Sequence, residues 1–177
     1  FFFKYIVEHY RDRFSVILWD YRGHGRSGTP PDVEQADFSV ERSAQDVKAV
    51  LEHLGMEEAA VLLGHSMGCQ VILEFAKQFP DDVRGLVPMF GTFARPLDTF
   101  FDFSKSRSIF EVLHKVASFG GRGGTRMMLP LYASPLAFKV GGLTGMVDRH
   151  YALEEDIRKY LEHLLHMDTR VFLRMVS

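Results

Sequence analysis

The feature that most constrains the fold is the pentapeptide Gly64-His65-Ser66-Met67-Gly68, which joins two segments of different periodicity. Residues 59–63 form a short, continuous apolar run typical of a buried parallel strand. After the pentapeptide, apolar residues recur at helical spacing as far as Phe79, and Pro80 ends the pattern. The chain must therefore pass from strand to helix in a tight turn, which strains the backbone at its tip and requires small neighbours.

Further strands and helices are predicted on both sides of this turn. Residues 14–19 are apolar, β-branched and aromatic, and a Gly-rich turn follows them, so they are predicted to form another buried strand. Ser39 is predicted to cap a helix whose apolar residues recur at three- and four-residue spacings until Gly55 ends it. Residues 83–89 read as a third strand. This alternation predicts a parallel, doubly wound α/β sheet with right-handed crossovers.

The pattern changes after Gly91. From about residue 93 onwards the apolar spacing is helical, clearest around residues 109–116 and 157–165, and Phe and Met are abundant. Residues 120–124, Gly-Gly-Arg-Gly-Gly, are predicted to be a flexible loop. They lack the preceding strand and the G-K-[ST] ending of a phosphate-binding loop.

Composition excludes several classes of protein. With 46% hydrophobic and 25% charged residues, the chain is expected to be a soluble, packed domain rather than disordered or fibrous. A net charge of -2 supplies no basic field, so nucleic acid is not an expected partner. The single cysteine, Cys69, excludes an intramolecular disulfide and a Cys-based zinc cluster. No membrane span or signal peptide is evident, so a cytoplasmic location is expected.

The turn at Ser66 also predicts a chemistry. In a strand–turn–helix context, G-x-S-x-G forms a nucleophile elbow that presents the serine Oγ. The backbone N–H of Met67 is then directed at the position of a substrate oxyanion, and the helix N-terminus adds positive potential. Gly64 and Gly68 are expected because side chains would clash there. The alternative is a chance match in an ordinary tight turn, since such short strings are common.

These motifs together resemble the α/β-hydrolase-fold superfamily, of the serine esterase, lipase and haloperoxidase-like kind, over about residues 5–92. Residues 20–27, Asp-Tyr-Arg-Gly-His-Gly-Arg-Ser, are similar to the D-x-R-G-x-G-x-S segment after the family's fourth strand, and the elbow follows in the expected order. The resemblance implies a partial α/β-hydrolase core at residues 1–92 and a helical lid at residues 93–177. Because the chain begins with Phe1 rather than Met, we expect it to be a fragment.

The sequence departs from the family in its catalytic triad. The resemblance implies an acid and a histidine downstream of the serine, each after a later core strand, and no such strand is predicted here. No downstream acid or histidine is therefore assigned to a triad, and both members are expected outside this chain. The second oxyanion N–H is implied to come from a loop upstream of Phe1. The unassigned side chains are Asp98, Asp102, His114, Asp148, His150, Asp156, His163, His166 and Asp168.

Side chains near the two motifs are expected to have structural roles. His65 adjoins the serine but points away from its side chain, so packing is favoured over action as the base. His24 could border the site, and a role in the turn is favoured. Asp20 and Arg22 are expected to fix the Gly-rich loop by hydrogen bonds. Cys69 is expected to be a small buried hydrophobe rather than a redox thiol.

No metal or organic cofactor is expected. His163 and His166, with Glu162 and Asp168 alongside, suggest a metal site, but an i, i+3 histidine pair is more often the polar edge of a helix. The Phe and Met side chains of the second half are consistent with an apolar acyl pocket and equally with the core of the lid.

The predicted function is hydrolysis of a carboxylic ester with a small or medium apolar acyl group, through an acyl-enzyme on Ser66. Serine at the elbow disfavours epoxide hydrolases and dehalogenases, relatives that carry Asp there. Two alternatives stay open. One is a non-catalytic α/β-hydrolase-like binding module, and the other is a chain that is inactive by itself and self-associates through exposed apolar edges.

Overall fold

The computed structural model describes residues 3–91, 139, 150–151, 153–165 and 169–176. None of the helices in these ranges is both long enough and apolar enough to cross a bilayer. The chain divides into two compact units, Gln35–His114 and Phe1–Glu34 with Lys115–Ser177. The described elements, in chain order, are helix α1 (Lys4–Tyr10), helix α2 (Val40–His53), strand β1 (Ala60–His65), helix α3 (Gly68–Gln78), strand β2 (Val83–Met89), helix α4 (Glu154–Leu165) and helix α5 (Thr169–Val176).

Strands β1 and β2 of the first unit are parallel, with Ala60 opposite Val83 and His65 opposite Met89. Helix α3 connects them and packs against both, and a 3-10 helix at Pro80–Asp82 leads into β2. The predicted strand–helix–strand unit is confirmed, and β2 has the predicted bounds. A parallel pair needs such a crossover, so β1, α3 and β2 form the smallest unit of an α/β fold.

Helix α2 begins and ends at the predicted residues. The Ser39 Oγ accepts a hydrogen bond from the Arg42 N–H at 3.1 Å, which satisfies a backbone donor that the helix itself cannot pair. Gly55 follows the helix with φ +66, and the next N–H, that of Met56, donates to the Leu51 carbonyl at 3.0 Å. Local capping chemistry therefore determines both ends of α2.

The core of this unit lies between α2 and α3. Helix α2 packs against α3, and the buried side chains come mainly from the facing sides of these two helices. The Lys48 ammonium on α2 pairs with the Asp82 carboxylate, which raises the Lys48 pKa through a hydrogen bond to that carboxylate. Among the residues of this unit that the structure describes, the buried apolar ones are Phe38, Ala44, Leu51, Cys69, Val71, Ile72 and Phe75.

One prediction about the strands is wrong. Strand β1 is not buried on both faces, because its alternate residues Val61 and Leu63 are exposed, as is Val87 of β2 beside Leu63. Successive side chains of a strand point to opposite faces, so these three share one face. Helix α3 shields the sheet on one side, and no described element of this unit covers the face formed by Val61, Leu63 and Val87.

The predicted strand at residues 14–19 is also wrong for the described chain. Residues 15–20 have no regular secondary structure, and Phe14, Val16 and Leu18 are exposed. An apolar run becomes a strand only when a neighbour supplies hydrogen-bond partners, and the described ladder consists of β1 and β2. Apolar composition alone therefore gave the wrong structure here.

The second unit contains α1, the Gly-rich loop and the two C-terminal helices. Helix α1, which the sequence pattern did not predict, contacts α4 through the Tyr5 hydroxyl, which donates to the Asp156 carboxylate at 2.8 Å. Val171 of α5 is fully buried and packs against the Gly23 backbone. The helical pattern at residues 157–165 is confirmed by α4.

Several predictions for the second half concern residues outside the described ranges. These are the helix around residues 109–116, the glycine loop at residues 120–124 and most of the Phe and Met side chains. The predicted division into a core at residues 1–92 and a lid at residues 93–177 stays a prediction.

Candidate active site

Ser66 occupies the tip of the turn between β1 and α3 in a conformation that non-glycine residues rarely adopt. Its φ is +55, which costs about 1–3 kcal/mol and must be held by the surrounding structure. The Ser66 N–H donates to the Met89 carbonyl at 3.0 Å, and the Ser66 carbonyl accepts from the Cys69 N–H at 3.0 Å. The residue is exposed, and its backbone is tied to the end of β2 and to the first turn of α3.

Gly64 makes the close approach of α3 to β1 possible. A Cβ built on Gly64 would fall on the carbonyl group of Gly68 and lie 2.9 Å from the Cys69 nitrogen. Because both obstacles are backbone, no side-chain rotation could relieve the overlap. Gly68 is buried as the first residue of α3. The absence of a side chain at Gly64 thus lets the helix lie directly against the strand end, and Ser66 lies in the turn between Gly64 and Gly68.

Met67 lies at the N-terminus of α3. It is the N-cap residue, with φ −56 and ψ −29, and its carbonyl accepts from the Gln70 and Val71 N–H groups at 3.0 and 3.3 Å. Its own N–H belongs to the first turn, where the helix dipole favours negative charge. The role of this N–H as an oxyanion donor stays a prediction.

Cys69 lies beneath the turn and is not a surface thiol. It is 2% exposed, and its Sγ donates to the carbonyls of Gly64 and Met89 at 3.2 and 3.3 Å. A Cβ on Gly91 would overlap both the Cys69 Sγ and the Ser66 carbonyl. Cys69 therefore packs where the ends of β1 and β2 meet the turn, as expected for a small buried side chain.

His65 and Phe90 lie beside the serine. Burial lowers the pKa of the half-buried His65 imidazole, which favours its neutral form. Its centroid is 6.2 Å from that of Phe90 in a tilted arrangement. Phe90 directly follows β2, has φ +50 and is 93% exposed. Sequence reasoning missed Phe90, and the only local signal was the glycine that follows it.

The Asp20 loop, in the other unit, contains several hydrogen bonds between its own residues. The Asp20 carboxylate accepts from the Arg26 N–H at 3.0 Å, and the Asp20 carbonyl accepts from the Ser27 hydroxyl at 2.6 Å. Gly25 has φ +50, and a Cβ there would overlap the Asp20 carboxylate. The His24 Nδ1 lies 3.2 Å from the Arg22 carbonyl. These contacts agree with the structural roles expected for Asp20 and His24, and the role of the Arg22 side chain stays a prediction.

The structure gathers the predicted elbow residues in one turn but supplies no triad partner for Ser66 among them. Asp156 lies on α4, where it accepts from Tyr5 and lies 3.9 Å from the Lys4 ammonium. Within the described ranges, no three His, Cys, Asp or Glu side chains are grouped so as to hold a metal ion. Of the other unassigned residues, His150 lies within the described ranges, His163 does so by its backbone in α4 only, and Asp98, Asp102, His114, Asp148, His166 and Asp168 lie outside them.

Comparison with known proteins identifies the family. The model for the alpha/beta hydrolase fold matches residues 1–107, which is more than half of the chain, and the chain belongs to this family. The protein phosphatase methylesterase 1 of Candida albicans is 36% identical over 90 residues, which cover 48% of this chain and 24% of that protein.

Solved structures agree on the fold. A thermophilic esterase from Thermogutta terrifontis has a TM-score of 0.62 at 26% identity, covering 96% of this chain and 56% of that one. An epoxide hydrolase from Bacillus megaterium has a TM-score of 0.63 at 16% identity, covering 98% and 59%, and this likeness concerns the fold alone. The chain thus spans a little over half the length of these structures and about a quarter of the methylesterase.

Proposed function

We propose that this chain is the nucleophile-bearing segment of a serine hydrolase that cleaves carboxylic esters with small or medium apolar acyl groups. The observation that carries the proposal is the exposed Ser66 at φ +55, raised between a parallel strand and the N-terminus of a helix. Backbone strain at an exposed polar residue is a feature of functional sites. An esterase and a methylesterase among the similar proteins support the ester class.

The reaction proceeds through a covalent intermediate. The Ser66 Oγ attacks the ester carbonyl carbon while a histidine, proposed to lie outside this chain, takes its proton. The carbonyl oxygen becomes an oxyanion that accepts a hydrogen bond from the Met67 N–H. The alcohol leaves with the proton from the histidine, and water then attacks the acyl-serine to release the carboxylic acid and regenerate the hydroxyl.

Serine as the nucleophile favours an ester over an epoxide. Attack of a serine oxygen on an epoxide carbon would form an ether, which lacks the carbonyl that water needs to release the product. Attack on an ester forms an acyl-serine, which retains a carbonyl and is hydrolysed by the same machinery. The fold is common to esterases and epoxide hydrolases, so the proposal of an ester substrate rather than an epoxide rests on the serine at position 66.

The test uses the full-length protein that contains this segment, with p-nitrophenyl butyrate as substrate. Ser66→Ala is expected to lower kcat about 1,000-fold or more, because it removes the atom that forms the intermediate. Ser15→Ala, which changes another exposed serine, serves as the matched control and is expected to retain full activity. Equal turnover by the Ser66→Ala and wild-type proteins would contradict the proposal, and a purified wild-type protein inert towards such esters would favour a binding module.

A further inference from the structure

Phe90 combines two unfavourable features that nothing in the packing of its own side chain compensates. Its φ of +50 is a strained conformation for an aromatic residue, and its ring is almost fully exposed. Elsewhere in the described chain, Ser66 is the other non-glycine residue with positive φ. Ser66 directly follows β1 and Phe90 directly follows β2, so the two strained residues lie at the adjacent ends of paired strands.

The backbone on both sides of Phe90 is fixed to the elbow. The preceding carbonyl, that of Met89, accepts from the Ser66 N–H at 3.0 Å and from the Cys69 Sγ at 3.3 Å. The following residue, Gly91, lies so close to Ser66 and Cys69 that a Cβ would overlap both. Phe90 is thus held between two anchored points, and the same contacts that position the nucleophile impose its conformation.

The exposed ring lies beside the elbow. Its centroid is 6.2 Å from that of His65, the residue before the serine, and the Phe90 backbone begins one peptide from Met89, whose carbonyl accepts the Ser66 N–H. An aromatic ring in this position offers a large apolar surface at low entropic cost, since it has few rotatable bonds.

We propose that Phe90 is a specificity-determining residue whose ring contacts the apolar acyl group of a ligand bound at Ser66. The inference rests on the proposed function, and it adds that preference for longer acyl groups depends on this ring. Backbone strain is maintained where the surrounding structure places a side chain for function. The described fold leaves the Phe90 ring exposed to water, and contact with an acyl chain would bury it.

The test compares p-nitrophenyl acetate with p-nitrophenyl butyrate in the full-length protein. Phe90→Asn removes the ring and retains a residue that tolerates positive φ, and Phe90→Gly is a second variant with the same property. Butyrate carries two more methylenes than acetate and each buried methylene is worth roughly fourfold in binding, so the butyrate-to-acetate ratio of kcat/KM is expected to fall by about fourfold, if one methylene loses its contact, to about sixteenfold, if both do. Phe90→Tyr, which keeps the ring, is expected to stay within about twofold of wild type.

A structural role would give a different result. Phe14→Asn, which removes another exposed ring, is the matched control and should leave the ratio unchanged. An equal fall for both esters, or an unchanged ratio in Phe90→Asn and Phe90→Gly, would overturn the proposal.

A binding measurement separates this proposal from the ester chemistry. Hexanamide, which is not turned over, is titrated calorimetrically into the Ser66→Ala protein and into the same protein with Phe90→Asn. Weaker binding by the double variant supports contact with Phe90 even if ester turnover proves independent of Ser66. Equal affinities would refute it whatever the kinetics show.

Discussion

Glycine has different roles in two turns of this chain, the Asp20 loop and the elbow at Ser66. In the Asp20 loop the glycines themselves take positive φ, at Gly23 and Gly25, and polar side chains hydrogen-bond within the loop. In the elbow the strained residue is Ser66, and Gly64 provides space for backbone against backbone. In the Asp20 loop, glycine occupies the positive-φ positions and so avoids backbone strain. In the elbow, glycine makes room for the backbone, and the strained position is occupied by Ser66.

This difference matters for function. In the Asp20 loop, the Asp20 carboxylate and carbonyl accept hydrogen bonds from the Arg26 N–H and the Ser27 hydroxyl, and these bonds stabilise its shape. The Ser66 hydroxyl makes no hydrogen bond to another residue in the described part of the chain, and it remains available to a base and a substrate. A turn stabilised by its own hydrogen bonds is a structural element, and a strained turn that presents an exposed serine is a candidate active site.

The largest effect on stability is expected from Gly64→Ala. The new Cβ would overlap the Gly68 backbone, so the free energy of unfolding should fall by about 3 kcal/mol. Gly25→Ala should cost less, about 1–2 kcal/mol, because the overlapping group is the Asp20 side chain, which can rotate.

Gly28→Ala is the matched control for both substitutions. A Cβ there would meet no described atom within 4 Å, and the expected change is within about 0.5 kcal/mol. Urea unfolding of the three variants measures their free energies of unfolding and tests the expected order of the losses. If Gly25→Ala proved as costly as Gly64→Ala, the distinction between the two turns would fail.

A smaller effect of opposite sign is expected from Ser66→Gly. Glycine accepts φ +55 without strain, and part of the gain is offset by its greater freedom in the unfolded chain. The free energy of unfolding should rise by about 0.5 kcal/mol while ester turnover is lost. Ser15→Gly, outside the elbow, should not stabilise the protein. A stability loss in Ser66→Gly would mean that the serine is not strained.

The smallest effect concerns the pH dependence of stability. Burial lowers the pKa of His65 below its usual value of about 6.5, so the unfolded chain binds a proton first as the pH falls. The contribution of His65 is therefore fully present above the unfolded-state pKa and is lost as the pH falls towards the folded-state pKa. His65→Asn should lose less stability than wild type between pH 7 and pH 5.5 in urea titrations. Identical slopes for the two proteins would show that burial of His65 has no effect.

The sequence predicted those features that depend on local chemistry. Ser39 and Gly55 specified the ends of α2, and the apolar runs around the G-x-S-x-G motif specified β1, α3 and β2. The elbow was predictable because the turn leaves no room for a side chain at Gly64, so glycine is required at that spacing from the serine. In each case the residues that determine the element lie within it or next to it.

Features that depend on distant neighbours were not predictable. Residues 14–19 have the composition of a strand, but a strand needs hydrogen-bond partners that composition does not specify. The positive φ of Phe90 is imposed by contacts of Met89 and Gly91 with the elbow, and phenylalanine gives no sign of it. The location of the acid and histidine partners of Ser66 outside this chain stays a prediction.

The most direct test of the central claim is covalent labelling of Ser66. The full-length protein is treated with a fluorophosphonate, which forms a stable adduct with an activated serine, and the adduct is located by mass spectrometry of peptides. We predict stoichiometric labelling of the peptide containing Ser66, slowed by excess p-nitrophenyl butyrate and absent in Ser66→Ala. An unlabelled Ser66 in folded, full-length protein, or equal labelling of Ser15, would contradict the assignment of Ser66 as a nucleophile.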